Sequence, residues 1–311
     1  MTFHRLAPLA AALLFLAPVA ARAATPAVLT PQLAPNATFD QGMLHVERYG
    51  SGSQSIVLIP GLGSGPWEWY GTIARFAPSY TIYALTIAGF DGRPAGSLPQ
   101  TFDAFATDFW DLLHDRAIDR PVVVGHSLGG TLALYLAEQH PERLRAVVAV
   151  DGLPIFPPVA SLTPIRREAT AQSTAASIAS QTPAAFAAYE LHFMQTVGTR
   201  DPAIAAAAAK LEAASDPKAV AGWVAADLGE DLRPQLARIT IPVLEIMPFD
   251  PETGRQLGYS QDQALAFYRA LMPGLATLQL VPIAPARHFA MLDRPQPFYD
   301  ALDRFLTQLG P

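Results

Sequence analysis

The chain has 311 residues, half of them hydrophobic, enough apolar material for a sizeable core in one α/β unit. A net charge of −6, with Lys210 and Lys218 the only lysines and no basic stripe, excludes a nucleic-acid surface. The lack of cysteine excludes disulfides, a thiol nucleophile and Cys-ligated metal, and no H-E-x-x-H pattern or tight His/Asp cluster supplies another metal site.

The N-terminus reads as an export signal. His4 and Arg5 open it, the apolar run 6–20 is too short and too Pro-broken for a membrane span, and Ala21-Arg22-Ala23 is a cleavage pattern. Cleavage after Ala23 would make the mature protein periplasmic or secreted, and no later apolar run approaches membrane length. Residues 24–40, rich in Ala, Pro, Thr and Asn, are expected to form a flexible lead-in.

Alternation over 43–49 predicts a strand, and 55–59 a second one that runs into Pro60-Gly61-Leu62-Gly63-Ser64-Gly65-Pro66. A helix is expected over 67–76 and a strand over 80–85. Thr101 caps a helix whose Phe102, Phe105, Phe109, Leu112 and Leu113 share one face. Pro121-Val122-Val123-Val124 predicts the next strand, a helix follows from Gly130, and 146–150 is again a strand. Near-continuous apolar strands alternating with helices predict an α/β fold with a mostly parallel sheet covered on both faces.

The alternation stops over 152–238, which is Ala-rich. Thr163-Pro164, Thr182-Pro183, Asp201-Pro202 and Asp216-Pro217 each set a capping side chain before a proline suited to a first helical turn. This stretch is therefore expected to be an inserted helical cap, dividing the core into 41–151 and 239–311. Strands at 242–247 and 278–282 and helices at 261–271 and 297–309 complete the pattern.

Gly125-His126-Ser127-Leu128-Gly129 joins a strand to a helix through a sharp turn with a serine at its tip. Such a turn lifts the hydroxyl away from the backbone and aims it at a helix N-terminus, and the flanking glycines leave room for it. In this motif and in the order of its elements the chain resembles the α/β-hydrolase fold family, in its capped, esterase-like form, over about 41–309.

The resemblance implies a nucleophile at Ser127 and a base at His288, in Ala286-Arg287-His288-Phe289-Ala290-Met291-Leu292-Asp293 after the last strand. It puts the acid at Asp250, in Met247-Pro248-Phe249-Asp250-Pro251, with Asp151 the alternative and Glu245 a third candidate. Pro248 stands where the family usually has glycine. The oxyanion donors it implies are the N–H groups of Leu62 and Leu128, with Gly63 the alternative to Leu62; Pro60-Gly61 replaces the family's usual His-Gly. In Thr86-Ile87-Ala88-Gly89-Phe90-Asp91-Gly92-Arg93, only Gly89 and Phe90 match the family pattern. His126, inside the turn, is read as structural; His114 and His140 are read as surface partners near helix ends, and His192, in the cap, as a partly buried histidine with pocket lining the alternative.

The function so implied is an exported serine hydrolase that needs no cofactor and cleaves a carboxylic ester through an acyl-enzyme. Its partner is a small-molecule ester-like substrate with an apolar part; nothing in the sequence specifies an oligomer. Phe186, Tyr189, Phe193, Met194 and Trp223 are candidate roof residues, most of them expected to pack the cap itself. The alternatives are a cofactor-free haloperoxidase (perhydrolase), a carbon–carbon bond hydrolase, or a non-catalytic binding protein.

Overall fold

The computed structural model describes residues 25–96 and 99–310, so the export signal read at 1–23 lies outside the described residues. Its centre is an eight-stranded sheet. The strands are β1 (Ala37–Gln41), β2 (Leu44–Tyr49), β3 (Ser55–Ile59), β4 (Thr81–Ile87), β5 (Val122–His126), β6 (Ala146–Val150), β7 (Val243–Pro248) and β8 (Leu278–Ile283). Their spatial order is β1-β2-β4-β3-β5-β6-β7-β8, antiparallel at β1–β2 and β2–β4 and parallel elsewhere.

Helices α1 (Tyr70–Phe76), α2 (Phe102–Asp115) and α3 (Leu128–Gln139) alternate with the strands. Because successive strand side chains point to opposite faces, Val57, Ile59 and Val123 enter one core while Ile56, Leu58, Val122 and Val124 enter the other. Burial on both faces is what a parallel sheet requires, and it explains why these strands read as unbroken apolar runs.

Between β6 and β7 lie α4 (Pro164–Ala179), α5 (Pro183–Phe193), α6 (Pro202–Glu212) and α7 (Pro217–Gly229). All four begin at the Thr-Pro or Asp-Pro pairs, and the side chains of Thr163, Thr182, Asp201 and Asp216 accept hydrogen bonds from the first-turn amides. Each such cap contributes about 1 kcal/mol. After β7 come α8 (Pro251–Leu257), α9 (Gln261–Leu271), α10 (Ala290–Asp293) and α11 (Pro295–Gln308). Among the described residues no helix is long and apolar enough to cross a membrane.

Two local elements depart from the sequence reading. β1 occupies the end of the expected flexible lead-in: Gly42, at φ 54, permits a tight turn that folds β1 back onto β2. The other departure is α8, a helix between the strand at 242–247 and the helix at 261–271 where the sequence reading placed none; Asp250 caps it and Pro251 opens it. Loops leaving the C-terminal ends of β3, β5, β6, β7 and β8 gather at one edge of the sheet. The chain turns back there, since β3 is flanked by β4 on one side and β5 on the other. Ligand sites of open α/β sheets lie at such an edge.

Candidate active site

Ser127 sits at φ 51 and ψ −121, a strained conformation for a residue with a side chain, held by its N–H bond to Val150 O at 2.9 Å. The turn closes only because its glycines are bare. A Cβ on Gly125 would lie 2.0 Å from Gly129 O, and one on Gly129 would lie 2.4 Å from Ile59 O. Leu128 begins α3, where a helix leaves its first amides without intrahelical partners.

His288 follows β8, and its Nδ1 lies 2.5 Å from Asp151 Oδ2. Asp151 follows β6 at φ 52, with its N–H bonded to Ile246 O at 3.0 Å. Its other carboxylate oxygen accepts the hydroxyl proton of Tyr268, from α9. Burial alone would raise the Asp151 carboxyl, but the facing His288 and the bonds from His288 and Tyr268 outweigh it and hold the group below its ordinary value. Burial, reinforced by the Asp151 charge, pushes the Tyr268 hydroxyl well up, so it remains a donor. The same two causes raise Glu245, the third acid candidate, which is fully buried on β7.

Asp250 does not meet His288. Its carboxylate accepts from Arg287 Nε at 3.3 Å, Thr253 hydroxyl at 3.1 Å and the Glu252 N–H at 3.3 Å, and faces Arg200 Nε at 3.4 Å. Its role as helix cap, with two guanidinium groups against it, turns it away from His288. Sequence reasoning weighed Asp151 but missed Tyr268, which has no local signal: it reaches Asp151 across 117 residues.

The loop after β3 closes on the serine turn. A Cβ on Gly61 would lie 2.8 Å from His126 Nδ1 and 3.6 Å from Ser127 Cβ. The Gly61 N–H bonds Glu68, Ser64 N–H bonds Gly61 O, and Gly63 O accepts from the Ser215 hydroxyl at 2.7 Å. Among the described residues the N–H groups of Leu62 and Gly63 have no acceptor. His126 neighbours Ser127 in the chain, and its ring lies 4.5 Å from that of His288. Among the described residues no hydrogen bond joins the Ser127 hydroxyl to His288; such bonds commonly tighten only around substrate.

A family model described as the alpha/beta hydrolase family matches residues 56–301. The chain belongs to the alpha/beta hydrolase family. It is 32% identical over 112 residues to a pimeloyl-(acyl-carrier protein) methyl ester esterase of Aeromonas hydrophila, a stretch covering 36% of this chain and 42% of that one. To lipase LipV of Mycobacterium tuberculosis it is 36% identical over 109 residues, covering 35% of this chain and 41% of the relative. These matches thus span about two fifths of each relative's length. The fold is shared with a hydrolase from Pseudomonas aeruginosa, at TM-score 0.69 and 22% identity, over 85% of this chain and 94% of that one.

In this alpha/beta hydrolase the cap is tied to the loop that carries His288. His288 and Phe289 donate their N–H groups to Val197 O and Gly198 O, in the π-helical turn Met194–Gly198 after α5. Arg287 reinforces the tie through Gln195 O at 2.7 Å and Thr199 O at 3.1 Å. Of the cap side chains considered as a roof, Phe186, Met194 and Trp223 are buried in the cores, and Tyr189 is exposed. Phe193 is the one whose ring meets His288, edge to face at 5.9 Å.

Proposed function

We propose that this chain is an exported serine hydrolase that cleaves small carboxylic esters with an apolar acyl or alcohol part, using Ser127, His288 and Asp151. The observation that carries the reading is the bond from His288 Nδ1 to Asp151, which among the described residues leaves Nε2 without a partner, in a ring 4.5 Å from that of His126 in the strained turn that presents Ser127. Export rests on the signal pattern at residues 1–23.

The chemistry follows from the atoms. His288 Nε2 takes the Ser127 hydroxyl proton while Oγ attacks the acyl carbon. Asp151 keeps the proton on Nδ1 and stabilises the imidazolium formed. The oxyanion is received by the N–H groups of Leu128 and Leu62, aided by the N-terminus of α3; one such donor typically contributes about a hundred- to thousandfold in rate. His288 returns its proton to the leaving alkoxide, and the acyl group stays on Ser127. Water, deprotonated by His288, then releases the acid and restores the serine.

Labelling with a fluorophosphonate probe, which captures an activated serine, tests the reading alongside hydrolysis of p-nitrophenyl butyrate. Wild type should be labelled and turn over, and Ser127→Ala should do neither. Equal labelling of both proteins would overturn the assignment.

A further inference from the structure

Glu68 and His126 are buried, titratable and unused by the chemistry above: their exposures are 2% and 0%. Glu68 lies in the short helical turn Pro66–Trp69. Its Oε1 accepts the Gly61 N–H at 3.1 Å, and its Oε2 lies 3.0 Å from His126 Nδ1. On the other side of the ring, His126 Nε2 lies 3.2 Å from the carbonyl oxygen of His288. A carbonyl can only accept, so Nε2 carries a proton. His126 Nδ1 then either holds a second proton, facing a carboxylate, or accepts one from a protonated Glu68.

The surroundings select the second arrangement. The His126 ring packs on Phe289 at 4.4 Å and meets Trp69 edge-on at 6.4 Å, a dry setting in which a lone ion pair is costly. Burial pushes the Glu68 carboxyl up and His126 down, both toward their neutral forms. His288 and Asp151 face the pair on the base side, and Asp91 and Glu212 face Glu68 on the other. A second cation at His126 would oppose the imidazolium that forms on His288 in turnover.

We infer that Glu68, a neutral carboxyl donating Oε2–H to His126 Nδ1, and His126, donating Nε2–H to the His288 carbonyl, are positioning residues that hold three loops in one geometry. The oxyanion loop is held at Gly61, the serine turn carries His126 itself, and the base loop is held at the His288 carbonyl. The inference rests on the ester-cleaving reading for its catalytic consequence, though not for the state of the pair.

The test compares Glu68→Gln with Glu68→Ala in the full chain, with imidazole nitrogen NMR of His126 read separately from activity. A glutamine reproduces the neutral carboxyl, since its Oε1 accepts from Gly61 and its Nε2–H donates to Nδ1. Glu68→Ala should lower kcat on the order of a hundredfold with little change in KM, and Glu68→Gln should restore it to within about threefold of wild type. The His126 Nδ1 resonance should be that of an unprotonated nitrogen from about pH 6 to 8. A doubly protonated His126, or a folded Glu68→Gln with kcat as low as Glu68→Ala, would overturn the inference, as would an unchanged kcat in Glu68→Ala. Should Glu68→Ala not fold, the glutamine variant and the NMR decide. Wild type that fluorophosphonate does not label would instead remove the ester-cleaving reading, and the NMR would still report on the pair.

Discussion

Asp151 Oδ2 and His288 Nδ1 lie 2.5 Å apart although 137 residues separate them in the chain. The parallel sheet makes this approach. β6 and β8 flank β7, so their C-terminal ends open onto the same edge and aim two loops at one point. The loop between them, after β7, carries a carboxylate too, but Asp250 is spent on Arg287 and Arg200. It holds the His288 loop indirectly, because Arg287 precedes His288 and also ties that loop to Gln195 O and Thr199 O of the cap.

The two aspartates should therefore respond differently to loss of charge. Asp151→Asn leaves the shape intact but no longer fixes the histidine tautomer, a change that costs about 10⁴-fold in kcat in an analogous triad. Asp250→Asn should keep kcat within about tenfold and lower Tm by several degrees, as loss of a partner to two guanidinium groups does. Ester turnover and thermal melts of both variants check this. Loss of turnover confined to Asp250→Asn would reverse the assignment.

Tyr268→Phe removes the hydroxyl that donates to the second Asp151 oxygen. The partly buried carboxylate then loses one of the interactions that keep it ionised, and a hydrogen bond to a charged group contributes about 1.5–3 kcal/mol. Expected is a fall in kcat of about tenfold with KM little changed. Steady-state kinetics on one activated ester reads both constants; a KM effect alone would mean that Tyr268 contacts substrate instead.

The parts of this molecule that sequence reasoning reached are those governed by local physics. The four cap helices begin where a Thr or Asp side chain precedes proline, and the turn at Ser127 is marked by glycines whose Cβ atoms would strike Gly129 O and Ile59 O. What escaped it depends on distant partners. Which of Asp151 and Asp250 faces His288 is set by Tyr268 and by Arg200 and Arg287, none adjacent to the carboxylate it holds. Likewise the Glu68–His126 contact joins residues 58 apart that carry no shared motif. β1 was hidden by a polar, proline-containing composition, although its pairing needs only the turn at Gly42.

Stability should fall as pH rises from mildly acidic to neutral. Burial, helped by Glu230 and opposed by Arg238, pushes Glu138 to about 7, and burial, helped by Glu47, pushes Asp91 to about 6. Glu138 Oε2 has no partner among the described residues, so nothing repays ionisation there. Raised carboxyls stay protonated in the folded chain after the unfolded chain has released its protons. Their stabilisation is complete below the unfolded value near 4 and is lost as pH climbs through about 6 to 7. Asp151 acts in the opposite sense: its contribution is present above its ordinary value and is lost only in stronger acid. Calorimetry should give a higher Tm at about pH 5 than at about pH 8, and Glu138→Gln should narrow that gap by raising the value at the higher pH. A gap that Glu138→Gln leaves unchanged would remove Glu138 as a source.

Phe193 is where the cap reaches His288, and its edge-to-face contact with that ring puts an apolar surface beside the candidate site. If that surface receives the apolar part of an ester, Phe193→Ala should raise KM for longer acyl chains more than for acetate. Losing the contact of one or two methylenes, at about 0.8 kcal/mol each, corresponds to roughly four- to fifteenfold in KM for octanoate. The backbone straps from Val197 O and Gly198 O to His288 and Phe289 do not involve the Phe193 side chain, so kcat for acetate should be largely retained. Chain-length series on p-nitrophenyl esters make the comparison. A uniform loss of kcat across the series would show that Phe193 orients His288 rather than substrate.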